Sequence, residues 1–356
     1  MKLCSIFAII LSLLLTACVP RSPLNAAPIF SEGIDPSLRD LTDNRKVEIG
    51  AAFSIGQLNS NFLDTALLVR EFDMLMPEHS MKMGSVCYAR DRCSFKAADE
   101  LVDFAESHDM TVRGHTLVWH LNQPKWLEPG RYSRDELMEI MHDYIDAMVT
   151  RYRDRVPIWD VVNEALTLDG ALRDTIWLRG IGPEYIDLAF RWAHEADPNA
   201  RLFYNDYANE EIGQKSDAMY ELVKGMLDRG VPIHGVGFQL HTGLGIAPDP
   251  QDFAANLKRF EALGLEVQVT EMDVRIQGGS GTRADKLAAQ ARVYGDMFRV
   301  CLQADNCTAF VIWGLSDRRS WVGALTGVED VPLLFDRWYR PKPAYEALDR
   351  ALQNAS

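Results

Sequence analysis

The chain has 356 residues, 47% hydrophobic and 10% aromatic, enough to bury the core of one large domain or two ordinary ones. Its 37 basic and 51 acidic residues give a formal charge of −14, which, without any Lys/Arg-rich run, excludes a nucleic-acid binder and leaves room for a neutral partner such as a sugar. Gly (24) and Pro (16) are near average and no long low-complexity stretch occurs.

The N-terminus does not read as part of a fold. Met1-Lys2 is a short basic start, and the apolar stretch Ile6 to Leu15 is too short to span a bilayer, a secretory signal pattern. Leu15-Thr16-Ala17-Cys18 resembles the lipobox of bacterial lipoproteins. That implies a signal peptide over 1–17 and a lipid on Cys18, which would be the membrane partner; the alternative is ordinary cleavage nearby, with Cys18 incidental. Val19 after Cys18, rather than Asp, favours the outer membrane by the usual bacterial sorting pattern, with leaflet and facing left open. Residues 18–36 carry Pro20, Pro23, Pro28 and Pro36 and read as an extended tether. A single domain over 37–356 remains.

Along that domain, runs rich in Val, Ile and Phe predict strands at 50–56, 72–76, 111–119, 157–162, 201–205, 234–240, 266–270 and 309–313. Amphipathic spacing predicts helices at 134–152, with Ser133 as N-cap, and at 183–196, 214–229, 251–263 and 284–303. Strands alternating with helices imply a parallel sheet, and eight such units fit the α/β class as a single (β/α)8 TIM barrel. No glycine-rich fingerprint follows the first strand, which counts against a dinucleotide fold. Beyond Cys4 and Cys18, the cysteines form two pairs six residues apart, Cys87/Cys93 and Cys301/Cys307. In an exported protein these are expected as local disulfides; the spacing does not suit zinc.

In "PIWDVVNEAL" (157–166) an apolar run, interrupted only by Asp160, ends on Asn163 and Glu164. Glu164 either points into water past a strand end or stands at the barrel mouth, where active sites of this fold lie. "GLEVQVTE" (264–271) ends the same way, on Glu271, three βα units later. Two glutamates facing across a cleft are what glycoside hydrolysis needs: one protonates the leaving oxygen, the other attacks or activates water.

The motifs "VRGHTLVWH" (112–120), "WDVVNEA" (159–165), "YNDY" (204–207), "HGVGFQLH" (234–241), "LEVQVTEMDVR" (265–275) and "VIWGLSD" (311–317) resemble those of family-10 glycoside hydrolases, chiefly secreted endo-β-1,4-xylanases. The resemblance covers about residues 40 to 350. It implies a retaining endo-β-1,4-xylanase with Glu164 as acid/base and Glu271 as nucleophile, their carboxyls about 5–5.5 Å apart. It implies that Asn163 bonds the sugar 2-hydroxyl, that His241 beside Gln239 holds the nucleophile, and that Asp273 stands behind His241. Further implied substrate contacts are Glu78, Lys82, His115, Trp119, Asn122, Trp313 and Trp321 on the glycone side and Tyr207 on the aglycone side. No metal or organic cofactor is implied, because two carboxylates suffice, and a monomer is expected.

Three positions depart from the family pattern: His79 stands for the usual asparagine, Met83 for tryptophan and Asn122 for glutamine. All three are expected on the glycone side. They leave open the same chemistry on short xylo-oligosaccharides, aryl β-glycosides or another β-glycan. A non-catalytic glycan-binding lipoprotein is the reading from another class.

Overall fold

A computed structural model describes residues 36–43 and 45–355. The signal, lipobox and tether readings, Cys18 included, lie outside the described residues apart from Pro36. From there the chain forms eight parallel strands: β1 (Glu48–Phe53), β2 (Met74–Pro77), β3 (Thr111–Gly114), β4 (Ile158–Asn163), β5 (Arg201–Asp206), β6 (Gly235–Phe238), β7 (Glu266–Arg275) and β8 (Cys307–Ile312). Each pairs with the next, and β8 pairs with both β7 and β1, so the sheet closes into a (β/α)8 barrel. This is the architecture expected from the strand–helix alternation.

The barrel closes because its inward residues fit. Ala52, Met74, Met76, Ile158, Phe203, Ala309 and Val311 form a buried cluster in its interior, with Trp313 above them and Trp321 packed against it. Helices cover the outside. The longest expected early helix forms over Arg134–Arg151, and Ser133 caps it, accepting from the Glu136 N–H while the Glu136 carboxylate takes the Ser133 N–H. Such a cap contributes about 1 kcal/mol.

Strand ends shift by up to three residues from their sequence spans in most cases, and two strands depart further. The expected strand 111–119 ends at Gly114, because the chain turns away after His115; only Val118 returns, as a single bridge to Val162. The expected strand 266–270 runs on to Arg275, because Asp273, Val274 and Arg275 pair with the short strand His241–Gly243. Both expected disulfides are formed, Cys87–Cys93 closing a hairpin and Cys301–Cys307 tying the helix Arg283–Gln303 to β8.

Candidate active site

Backbone register brings the strand ends level. The Glu164 N–H donates to the Asn205 carbonyl at 2.9 Å, Gln239 N–H to Asp206 at 3.0 Å, and Glu271 N–H to Gln239 at 3.1 Å. Each side chain after β4, β5, β6 and within β7 is thereby set around one cleft of about 580 Å³ at the C-terminal mouth. It is lined by Glu78, His79, Lys82, His115, Trp119, Asn163, Glu164, Tyr207, Gln239, His241, Glu271, Trp313 and Trp321, all expected there, together with His120, Arg275 and Leu325. A cavity of about 690 Å³ on the outer helices holds neither glutamate, so size alone does not mark the site.

The two glutamates sit in different surroundings. Glu271 is 4% exposed and accepts from Asn205 Nδ2 at 2.8 Å and from His241 Nε2 at 3.2 Å. Burial alone would raise its pKa, but the His241 hydrogen bond and the nearby His115, His241 and Lys82 outweigh it and hold the carboxyl down to about 2. Glu164 is more open, 12% exposed at its side chain. Its Oε1 accepts from Gln239 at 3.1 Å and from Asn163 at 3.3 Å, and its Oε2 lies 3.9 Å from His120 Nδ1. Glu164 has φ +57°, a costly conformation for a side-chain-bearing residue, and Arg173 Nε clamps its carbonyl at 2.9 Å.

Asn163 and Asn205 link the two carboxylates. Asn163 Oδ1 accepts from Asn205 at 2.9 Å and Gln239 at 3.3 Å, which turns its NH2 toward Glu164. Thr270 fixes Asn205 by donating to Oδ1 at 2.7 Å. Gly237 makes room, since a Cβ there would meet Asn205 Oδ1 at 2.1 Å.

His241 joins Glu271 to Asp273, whose Oδ2 lies 2.8 Å from Nδ1 and also accepts from Trp321 Nε1 at 2.6 Å. Burial works against the imidazolium, but Asp273 and Glu271 raise the pKa from its ordinary 6.5 to about 10. Protonated, the ring donates to both carboxylates. The stability this confers is present in full below pH 6.5 and lost as pH rises through about 10. Asp273→Asn removes the largest charge raising that pKa. We expect its melting temperature to fall furthest below the parent's near pH 6, with the gap narrowing toward pH 10. Thermal melts across that range check it; a constant gap would refute the ion-pair account.

Lys82 is 5% exposed, 4.5 Å over the Trp119 ring and 5.6 Å from that of Trp313. Burial lowers its pKa, against the pull of Glu271, Glu78 and Glu164. Asp160, the charge that interrupts the apolar run of β4, is fully buried, paired with Arg113 and 3.0 Å from His115 Nδ1. It is there to orient His115, not to reach solvent.

Two of the three departures from the family pattern, Asn122 and Met83, are not brought to the cleft, contrary to expectation. Asn122 adopts φ +49°, accepts the Gly84 N–H at 2.8 Å and reaches Ser85 at 3.3 Å, bracing the segment that carries Lys82. Met83 is buried beside Cys87, Trp126 and Tyr144 in a separate cavity. Only His79 lines the cleft, its Nε2 3.3 Å from Glu78.

Sequence reasoning gave no role to His120, Arg173, Asn205, Asp206 or Arg275. Burial and then the Arg173 charge hold His120 down to about 4, so it faces Glu164 neutral. Asp206 binds Lys215 at 2.7 Å, and Lys215 in turn sits 3.6 Å over the Tyr207 ring. His120, Asn205, Asp206 and Arg275 all fall inside the recognised motifs, which was the available signal; Arg173 does not.

The family model described as glycosyl hydrolase family 10 matches residues 37–351. The chain is 41% identical over 324 residues to endo-1,4-beta-xylanase B of Thermotoga neapolitana, covering 90% of this chain and 92% of that protein. It is 38% identical over 347 residues to exoglucanase XynX of Acetivibrio thermocellus, covering 92% of this chain but only 31% of that longer protein. The solved xylanase 10B of Thermotoga petrophila RKU-1, in complex with xylobiose, superposes with a TM-score of 0.87 at 40% identity, covering 90% of this chain and 98% of that one.

Proposed function

The chain belongs to glycosyl hydrolase family 10, and on that footing we propose that it cuts internal β-1,4-xylosidic bonds of xylan or xylo-oligosaccharides with retention of configuration. It is a glycoside hydrolase. The observation that carries the reading is two glutamate carboxyls at one cleft in different surroundings, Glu271 buried and held ionised, Glu164 more open to the cleft.

Glu271 attacks the anomeric carbon while Glu164 passes its proton to the glycosidic oxygen, and the aglycone leaves. Glu164 then takes a proton from water, which attacks the glycosyl-enzyme ester and releases the sugar. Oε1 of Glu164 takes two amide donors, which leaves Oε2 as the oxygen available for the transfer. Asn163 meets the 2-hydroxyl, His241 with Asp273 keeps Glu271 ionised and aimed, and Trp313 and Trp321 offer flat apolar walls to the pyranose rings. Lys82, Glu78, His115 and Trp119 bind glycone hydroxyls and Tyr207 the aglycone.

Chromatography of products over time from xylan, and from xylotriose to xylohexaose, tests the substrate. We expect a spread of mid-length products early from xylan. Release of short ends only, or from another β-glycan only, would mean that His79 has re-aimed the glycone site.

The lipobox-like Leu15-Thr16-Ala17-Cys18 supports export and a lipid tether at Cys18, with the enzyme held at the cell's membrane. Cys18→Ser should move activity from the membrane fraction to the soluble fraction; unchanged partition would remove the tether.

A further inference from the structure

Arg275 ends β7, four residues past the nucleophile, and lines the main cleft. It also borders a second pocket of about 340 Å³, shared with Gly243, Leu244, Ile246, Gln277 and Val328. Its Nε donates to the Thr242 carbonyl at 3.2 Å. Among the described residues its two Nη groups have no hydrogen-bond partner and no carboxylate lies within ion-pair reach.

The other cations at the cleft are engaged. Lys82 is packed over Trp119 amid Glu271, Glu78 and Glu164. Arg173 is bonded to the Glu164 and Leu166 carbonyls and the Tyr207 hydroxyl. Lys215 is bonded to Asp206. Asp330, on the side pocket's wall, does not pair with Arg275: its oxygens take the backbone N–H groups of Ile276, Gln277 and Val331. A planar guanidinium with two unused donor groups, in a substrate cleft of a chain carrying −14, is a receptor for a carboxylate. Beside Gln277, Thr326 and the backbone-bonded Asp330, the side pocket presents Leu244, Ile246 and Val328, with Ile246 65% and Val328 50% exposed, suited to the CH faces of a sugar ring.

We propose that the side pocket receives a uronic acid branch of the xylan chain and that Arg275 binds its carboxylate. The proposal rests on the xylanase reading and adds the class of xylan preferred.

The test compares kcat/KM on three substrates: linear xylohexaose, a xylo-oligosaccharide of the same backbone length bearing one uronic acid branch, and that compound with its carboxyl reduced to the alcohol. We expect the parent to prefer the acid over the reduced compound by about tenfold, the scale of one charge-assisted hydrogen bond. Arg275→Met should bring the two to parity. If that variant does not fold, Val328→Trp, which fills the side pocket, should lower the ratio of branched to linear turnover for both branched compounds. A parent that treats acid and reduced branches alike, an Arg275→Met protein that keeps the preference, or a Val328→Trp protein with an unchanged ratio would overturn the proposal. Failure of the parent to cut linear xylohexaose would instead remove the xylanase reading beneath it.

Discussion

Glu271→Gln is expected to lower kcat on xylo-oligosaccharides and aryl β-xylosides alike by a factor on the order of 10⁴ or more. The loss reaches every substrate because the covalent step itself disappears: an amide cannot form the glycosyl ester, however good the leaving group. Glu271 is also the anion around which the site's hydrogen bonds converge, taking one each from Asn205 and His241. With its charge gone, His241 loses one of the two carboxylates that hold its proton up to about 10. The variant should therefore still bind oligosaccharide, since Trp313, Trp321 and Lys82 are untouched, while its His241 titrates at lower pH than the parent's. Steady-state kinetics with two substrate classes, and histidine titration by NMR, check both parts. Activity on aryl xylosides within tenfold of the parent would contradict the assignment.

Glu164→Gln has the second largest expected effect, and its pattern differs. On xylan, whose leaving sugar needs a proton, kcat should fall by about 10²–10⁴. On a dinitrophenyl glycoside the first step needs no acid, so the glycosyl-enzyme forms quickly and then waits for a base that is missing. A burst followed by slow turnover is the expected trace. Azide, a nucleophile needing no deprotonation and no longer repelled by a carboxylate at position 164, should attack the glycosyl-enzyme in place of water and restore turnover, giving the β-glycosyl azide. The geometry sets this up: the Oε1 partners Gln239 and Asn163 would remain near a glutamine, and Arg173 still clamps the backbone at φ +57°. Equal losses on both substrates with no azide response would show that Glu164 positions substrate and does not move protons.

The barrel was legible because each parallel strand is buried on both faces and so reads as a continuous apolar run. The place of Glu164 and Glu271 followed from two such runs ending on a carboxylate. What the runs could not show was where a strand leaves the sheet. The run 111–119 ends on Leu117, Val118 and Trp119, and Leu117 and Val118 are buried in the turn, so no loss of apolar residues marks the departure at Gly114. Nor does periodicity reveal a buried ion pair: Asp160 and Arg113 come from the neighbouring strands β4 and β3, and only the pairing of those strands brings them together. Asn122 and Met83 show the limit of carrying positions over by motif. A motif says which residue type departs, whereas a backbone at φ +49° or a neighbouring cavity decides which way it faces. Arg275 was missed for the opposite reason, since within "EMDVR" it reads as an ordinary charged strand end, and only its two Nη groups, without a partner among the described residues, mark it.

The most direct test of the two-glutamate account is to trap the intermediate. A 2-fluoro xylobioside with a reactive leaving group forms the glycosyl-enzyme quickly but releases it slowly. Peptide mass spectrometry of the inactivated protein should then find one 2-fluoro-xylobiosyl group, in ester linkage, on the peptide carrying Glu271. A label on any other residue, or rapid turnover of xylo-oligosaccharides with inversion at the anomeric carbon, would contradict it.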